Sequence, residues 1–304
     1  MKLPATKPGT AALSIASNSL LIALKLAAGA ITGSIAIITE AIHSGIDLIA
    51  SVIAFISVRK GDEPADVSHP YGHEKVESLA ATIEGILILV GAGIIIFEAT
   101  RRLVTGAEVE LLWVGIAVMA FSMIANLIVS TVLYRKAREE ESLALEGDAA
   151  HLRTDAATSG AVLVGLVLVE LTGVVALDSI TAILVAGVIV GAGINIIRRS
   201  SGVLVDEALP PDELDLIEAA IASSRTGDVA GYHKLRARRA GHLRHVDLHV
   251  QFAEGTSLER AHEVAHAMRD AIAVALPAAE VLIHVEPETS VLDPGDSPGP
   301  FRAG

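Results

Sequence analysis

The sequence predicts an α-helical membrane protein with six transmembrane helices, followed by a small cytoplasmic α+β domain of αββαβ order. Three observations predict it. Of 304 residues, 52% are hydrophobic and 19% charged, against roughly 45–50% and about 25% in soluble domains. The apolar residues gather before Arg199 into six segments long enough to cross a bilayer at about 20 residues per crossing. Beyond Arg199 the pattern changes to short helical and alternating stretches.

The expected spans are approximately 11–32, 35–58, 79–100, 111–134, 147–174 and 178–197. The gaps at 33–34 and 175–177 leave room only for tight helical hairpins. Lys2 and Lys7 give a basic start. The apolar stretch after them is too long for a removable signal peptide and runs straight into the second span. Orientation follows the Lys/Arg bias. An internal N-terminus places Lys2, Lys7, Arg59, Lys60, Lys75, Arg135, Lys136, Arg138, Arg198 and Arg199 on the cytoplasmic side, and leaves only Arg101 and Arg102 outside. Both termini are therefore expected in the cytoplasm.

Leu209-Pro210-Pro211-Asp212 reads as a linker and helix start, with a helix over 212–223. Residues 232–240 and 243–252 alternate as strands, a helix covers 257–275, and 280–285 is a third strand. That order predicts a ferredoxin-like, metallochaperone-like layer of helices on one face of a three-stranded sheet. The domains expected are a transmembrane transport domain at 8–200 and a cytoplasmic domain at 206–290. A tail at 291–304, rich in Pro and Gly, is expected to be disordered.

No cysteine is present, which excludes disulfide scaffolds, thiolate zinc sites, iron–sulfur clusters and cysteine nucleophiles. A metal site must draw on His, Asp and Glu. The net charge is −13, and residues 201–304 hold 9 Lys/Arg against 17 Asp/Glu. This argues against a nucleic-acid partner.

Ionisable residues inside a span are expensive and usually functional. The second span carries Glu40, His43 and Asp47; the fifth carries His151, Arg153 and Asp155. The two share one pattern, His-x-x-x-Asp, at 43/47 and 151/155. A spacing of four puts both side chains on one helix face. Side by side, the helices supply two imidazole nitrogens and two carboxylates, a tetrahedral set suited to Zn²⁺. The bland alternative, that each imidazole merely satisfies its own carboxylate, suits one such motif better than two. Glu40, Glu84, Glu98 and Glu170 read as rim or interhelical contacts, and Lys25 as snorkelling or paired. The loop after the second span offers Asp66, His69 and His73 within the run Asp66-Val67-Ser68-His69-Pro70-Tyr71-Gly72-His73.

With these motifs in place, the chain resembles the cation diffusion facilitators, proton-coupled exporters of divalent cations, over about residues 8–290. The resemblance implies a homodimer in the inner (plasma) membrane that exports Zn²⁺ by proton antiport. It makes His43, Asp47, His151 and Asp155 the transport site and Asp66, His69 and His73 a loop site. His233, His249, His262, His284 and Glu286 match a regulatory zinc cluster in the cytoplasmic domain, where the family more often has Asp at the last position. Lys75 and Asp206 match a charge interlock. Cd²⁺, Co²⁺ and Fe²⁺ are possible alternative cargoes, and protons and the lipid bilayer are the other expected partners.

One motif points elsewhere. His262-Glu263-Val264-Ala265-His266 spells H-E-x-x-H, the zinc metallopeptidase pattern. A peptidase also needs a third ligand and a substrate cleft, which a domain of this size on a covered sheet does not readily supply. His262 is read as a regulatory ligand, and His266, His242 and His245 as solvated bystanders. The chain is expected not to be an enzyme. A membrane metallopeptidase and a metal-sensing scaffold without transport remain the alternatives.

Overall fold

The computed structural model describes residues 6–32, 35–105, 113–174 and 176–289; the tail expected at 291–304 lies outside them. The chain divides into two compact units, Met1–Gly202 and Val203–Gly304. The first contains α1 (Lys7–Thr32), α2 (Ile35–Gly61), α3 (Lys75–Thr105), α4 (Trp113–Glu139), α5 (Leu143–Thr172) and α6 (Ala176–Leu204). On the described residues alone, α1, α3, α4 and α6 are long and apolar enough to cross a membrane. The helices α2 and α5 match them in length at 27 and 30 residues, and they carry the charged motifs. Several helices overrun the expected spans. Hydropathy marks the stretch that meets lipid, whereas a helix continues through its polar ends on backbone hydrogen bonds.

Residue size is distributed as a bilayer demands. Ala11, Ala50, Ala54, Ala80, Ala81, Ala92 and Ala149 are buried between helices, while Leu20, Ile49, Ile94, Phe97, Ile128 and Val188 face outward. In lipid, leucine gains nothing by leaving the surface, so association falls to close packing of small residues. The α3–α6 contact shows it. A Cβ added at Gly85 would lie 2.6 Å from Ile197 Cγ1 and 3.2 Å from the Gly193 carbonyl oxygen.

The second unit holds α7 (Pro211–Ser223), β1 (Val229–Ala240), β2 (Leu243–Phe252), α8 (Leu258–Ala275) and β3 (Ala279–Pro287). The sheet order is β1-β2-β3. β1 runs antiparallel to β2, joined by a tight turn at Gly241–His242, and β2 runs parallel to β3, joined through α8. The Ser257 side chain caps α8 by accepting the Arg260 N–H at 3.2 Å. Val246, Leu248, Val250 and Phe252 point from β2 into a core shared with Ile217, Ile221, Val264, Met268 and Ile272. Both helices therefore lie on one face of the sheet. Alternation along β2 sends Asp247, His249 and Gln251 to the other face.

Candidate metal centres

Three groups of His and carboxylate side chains come together among the described residues, each with its ligand atoms within 4.8 Å of one another: Asp47, His151 and Asp155; Asp66, His69 and His73; and His233, His249 and Glu286.

The first lies between α2 and α5. His151 Nε2 stands 3.2 Å from Asp47 Oδ1 and 4.0 Å from Asp155 Oδ2. The imidazole thus meets the carboxylate of the facing helix more closely than the one a turn along its own, contrary to the self-satisfied alternative. The side chains of Asp47 and His151 are each 8% exposed and that of Asp155 19%, so solvent screens the group weakly. The side chains of His43, Glu40 and Glu170 lie outside the described residues. Arg153 points away and stacks 4.3 Å over the Tyr134 ring. Lys25 is buried and donates to Ser44 Oγ at 2.7 Å.

The second group is built on a short turn. Asp66 Oδ1 accepts the backbone N–H groups of Ser68 at 2.8 Å and His69 at 2.7 Å, and the Ser68 hydroxyl at 3.0 Å. These hydrogen bonds, the His69 N–H foremost, hold the Asp66 carboxyl down to a pKa of about 2. The second oxygen stays open, 3.5 Å from His73 Nε2. His73 is buried, its Nδ1 lies 3.3 Å from the Glu63 carbonyl, and its Nε2 makes no hydrogen bond. The His69 and His73 rings lie 4.4 Å apart. Gly72, at φ +87, supplies the left-handed residue between them.

The third group sits on the helix-free face of the sheet. His233 pairs with His249 and His249 with His284, while Glu286 pairs with Gln251; cross-strand partners share a face. A bulge after His233, with Lys234 at φ +52, ends the regular register beside it. His249 Nδ1 and His233 Nε2 both contact Glu286 Oε1, the latter at 3.2 Å. Burial pushes the Glu286 carboxyl up, but the hydrogen bonds from His249 and His233 outweigh it and hold the group below the ordinary glutamate value. Glutamate at this position therefore still reaches the imidazoles.

Not every candidate joins these groups. His284 is exposed, with its ring 4.6 Å from that of His249. His262 does not come to the cluster: it lies on the exposed side of α8, and α8 covers the opposite face of the sheet. The idea of a ligand reaching the cluster from the covering helix within one chain is corrected on that ground. The His262 and His266 rings lie 4.1 Å apart in the open, and no third ligand joins them in any His/carboxylate group found among the described residues. His245 is corrected as well, being buried with Nδ1 3.1 Å from Glu280 Oε2. Glu98 pairs at the surface with Arg101 and Arg102 at 3.0 Å. Glu84 is fully buried against Gly147 of α5, an interhelical contact.

Six long helices with a buried His/Asp group across two of them, followed by a small α+β unit, describe a membrane transporter rather than an enzyme. The sequence matches the cation efflux transmembrane domain over residues 11–205 and the cytoplasmic domain of cation efflux proteins over 209–288. The chain belongs to the cation efflux, or cation diffusion facilitator, family and is a multi-pass membrane protein. It is 32% identical over 277 residues to an uncharacterized transporter of Synechocystis, covering 91% of this chain and 89% of that one. It is also 32% identical over 269 residues to the cation-efflux pump FieF of Yersinia pestis, and 30% identical over 269 residues to FieF of Cronobacter sakazakii. Each of these two matches covers 88% of this chain and 89% of the relative.

Proposed function

We propose that the chain is a homodimeric inner-membrane antiporter that exports Zn²⁺ from the cytoplasm in exchange for protons. Residues 8–200 form the transport domain and 206–290 a cytoplasmic regulatory domain. The observation that carries this reading is the Asp47–His151–Asp155 group, largely buried and shared between two helices of a cation efflux protein. The relatives named as cation-efflux pumps support the direction of transport, and the Lys/Arg bias supports cytoplasmic termini.

In this reading His43 completes the set, giving two imidazoles and two carboxylates for a tetrahedral ion. The carboxylates offset the dication's charge inside a low-dielectric interior. The donor set favours Zn²⁺ while admitting Cd²⁺, Co²⁺ and Fe²⁺. Metal binding requires neutral imidazole. A site that faces a near-neutral cytoplasm and then a more acidic exterior therefore loads inside, and protons displace the ion outside. The loop group at Asp66, His69 and His73 is a second binding place. The His233–His249–Glu286 group, with His284 beside it, is the site at which cytoplasmic zinc favours the transporting state, drawing together two tails that otherwise repel through their acidic charge. The test is Zn²⁺ flux in proteoliposomes by the wild type and by His151→Ala. Loss of flux in the variant with unchanged folding is expected; wild-type flux would remove the group from the transport path.

A further inference from the structure

Next to the Asp47–His151–Asp155 group lies a polar layer that the proposed export mechanism does not use. Asp148 precedes His151 by three residues on α5, and Ser51 follows Asp47 by four on α2. At 1.5 Å per residue this layer lies about 4.5–6 Å along the helices from the first. Asp148 Oδ1 accepts the hydroxyls of Ser14 and Ser51, each at 3.1 Å; those hydroxyls are 2.9 Å apart, and Asn18 Nδ2 donates to Ser51 Oγ at 2.8 Å. All four side chains are buried.

From α3, Glu84 enters the same layer. Its carboxylate rests on Gly147, the residue before Asp148: a Cβ added there would lie 2.1 Å from Glu84 Oε2 and 3.1 Å from its carboxyl carbon. A larger residue there would have to displace the Glu84 carboxylate. Glu84 and Asp148 are both 0% exposed, and Oε1 and Oε2 of Glu84 and Oδ2 of Asp148 have no hydrogen-bond partner. Every other buried acid in this unit with its surroundings described has an answer. Glu77, at the helix ends, takes Lys7 at 3.0 Å and the Ser142 hydroxyl, and Asp47 faces His151. Here acids from two helices come to neighbouring positions, Glu84 against Gly147 and Asp148 next along α5, and among the described residues three of their oxygens have no hydrogen-bond partner.

We propose that Glu84 and Asp148, with the Ser14 and Ser51 hydroxyls, form an oxygen-only station for a divalent cation on the cytoplasmic side of the Asp47–His151–Asp155 group, from which the ion is handed on. Two buried carboxylates with open oxygens are neutralised by one dication, and carboxylates with hydroxyls form a hard donor set without preference for a tetrahedral ion. The layer lies between the helix ends that carry Lys7, Asp62, Glu77 and Ser142 and the group with the imidazole. In the orientation proposed above, an ion entering from the cytoplasm meets the oxygen-only layer first. Its position on the export path rests on that proposed function; the binding of a cation does not.

The test uses the full chain in detergent with Cd²⁺ as the probe. Cadmium NMR separates an all-oxygen environment from one containing imidazole nitrogen. An oxygen-only signal is expected in the wild type, lost in Glu84→Gln and in Asp148→Asn, while the nitrogen-containing signals persist in both and report that the fold is intact. Absence of an oxygen-only signal at saturating Cd²⁺, or its survival in both variants, overturns the station and leaves the pair neutralised by protons. In proteoliposomes Glu84→Gln should raise KM for Zn²⁺ about tenfold with kcat within about twofold; an unchanged KM overturns the hand-over. A wild type that gives the cadmium signal but moves no Zn²⁺ refutes the export reading and leaves the station standing.

Discussion

Asp47→Asn removes one negative charge and almost no volume. Asp47 Oδ1 lies 3.2 Å from His151 Nε2 with both side chains 8% exposed, so neither water nor salt can replace the lost charge. Breaking a buried charge pair by removing one partner costs about 3–5 kcal/mol. Applied to a bound dication that loses one of its carboxylates, this is roughly a 10²- to 4 × 10³-fold weaker Kd. The assay is a competition titration of Zn²⁺ against a chromophoric chelator, on the full chain in detergent. Both parent and variant carry Asp66→Ala, Glu286→Ala and Asp148→Asn, which silence the loop group, the cytoplasmic group and the oxygen-only station. Size-exclusion and thermal melting without metal confirm that the fold is kept. A Kd within about threefold of the parent would show that Asp47 is not a ligand, and the transport site assigned to this group would have to be abandoned.

Further outcomes follow from the other sites. Glu286 is held below the ordinary glutamate value in the folded chain, so its contribution to stability is present above that value and lost as pH falls through the folded one. Glu286→Gln should therefore flatten the acid limb of the C-terminal unit's melting curve against pH and weaken Zn²⁺ binding there; an identical acid limb would contradict the hydrogen-bond geometry. Glu263→Gln should leave Zn²⁺ flux unchanged, because the H-E-x-x-H residues stand exposed on α8 and belong to none of the three groups, and a drop in flux would reopen that motif. Met268→Ala should destabilise the C-terminal unit by about 2–5 kcal/mol, since it empties a fully buried core position; denaturant melts with an unchanged midpoint would contradict the assigned packing.

Much of this architecture is legible in the sequence, for physical reasons. Lipid imposes a length and an apolarity on each crossing, so α3, α4 and α6 announce themselves. The period of α-helices places Asp155 a turn from His151. What sequence spacing leaves open is which helices touch, and therefore that His151 faces Asp47 rather than its own Asp155. The alternation in β2 does contain a further signal. With Val246, Leu248 and Val250 toward the helices, His249 must point the other way, and a ligand such as His262 on the covering helix cannot share its face. His245 follows the same rule, yet its burial beside Glu280 comes from β3 lying parallel, which no local pattern announces. Glu84 and Asp148 are separated by 64 residues, and only the α3–α5 contact brings them together. A spacing of three from His151 was the one hint that Asp148 mattered.

The central claim is exchange of a divalent cation for protons through the group between α2 and α5. It is tested most directly by recording proton flux with a trapped pH dye in proteoliposomes as Zn²⁺, Cd²⁺, Fe²⁺ and Mn²⁺ are applied in turn. The account predicts metal-driven proton movement, strongest with Zn²⁺ and absent in Asp155→Ala. Metal movement without proton movement, or equal proton flux in Asp155→Ala, would contradict it.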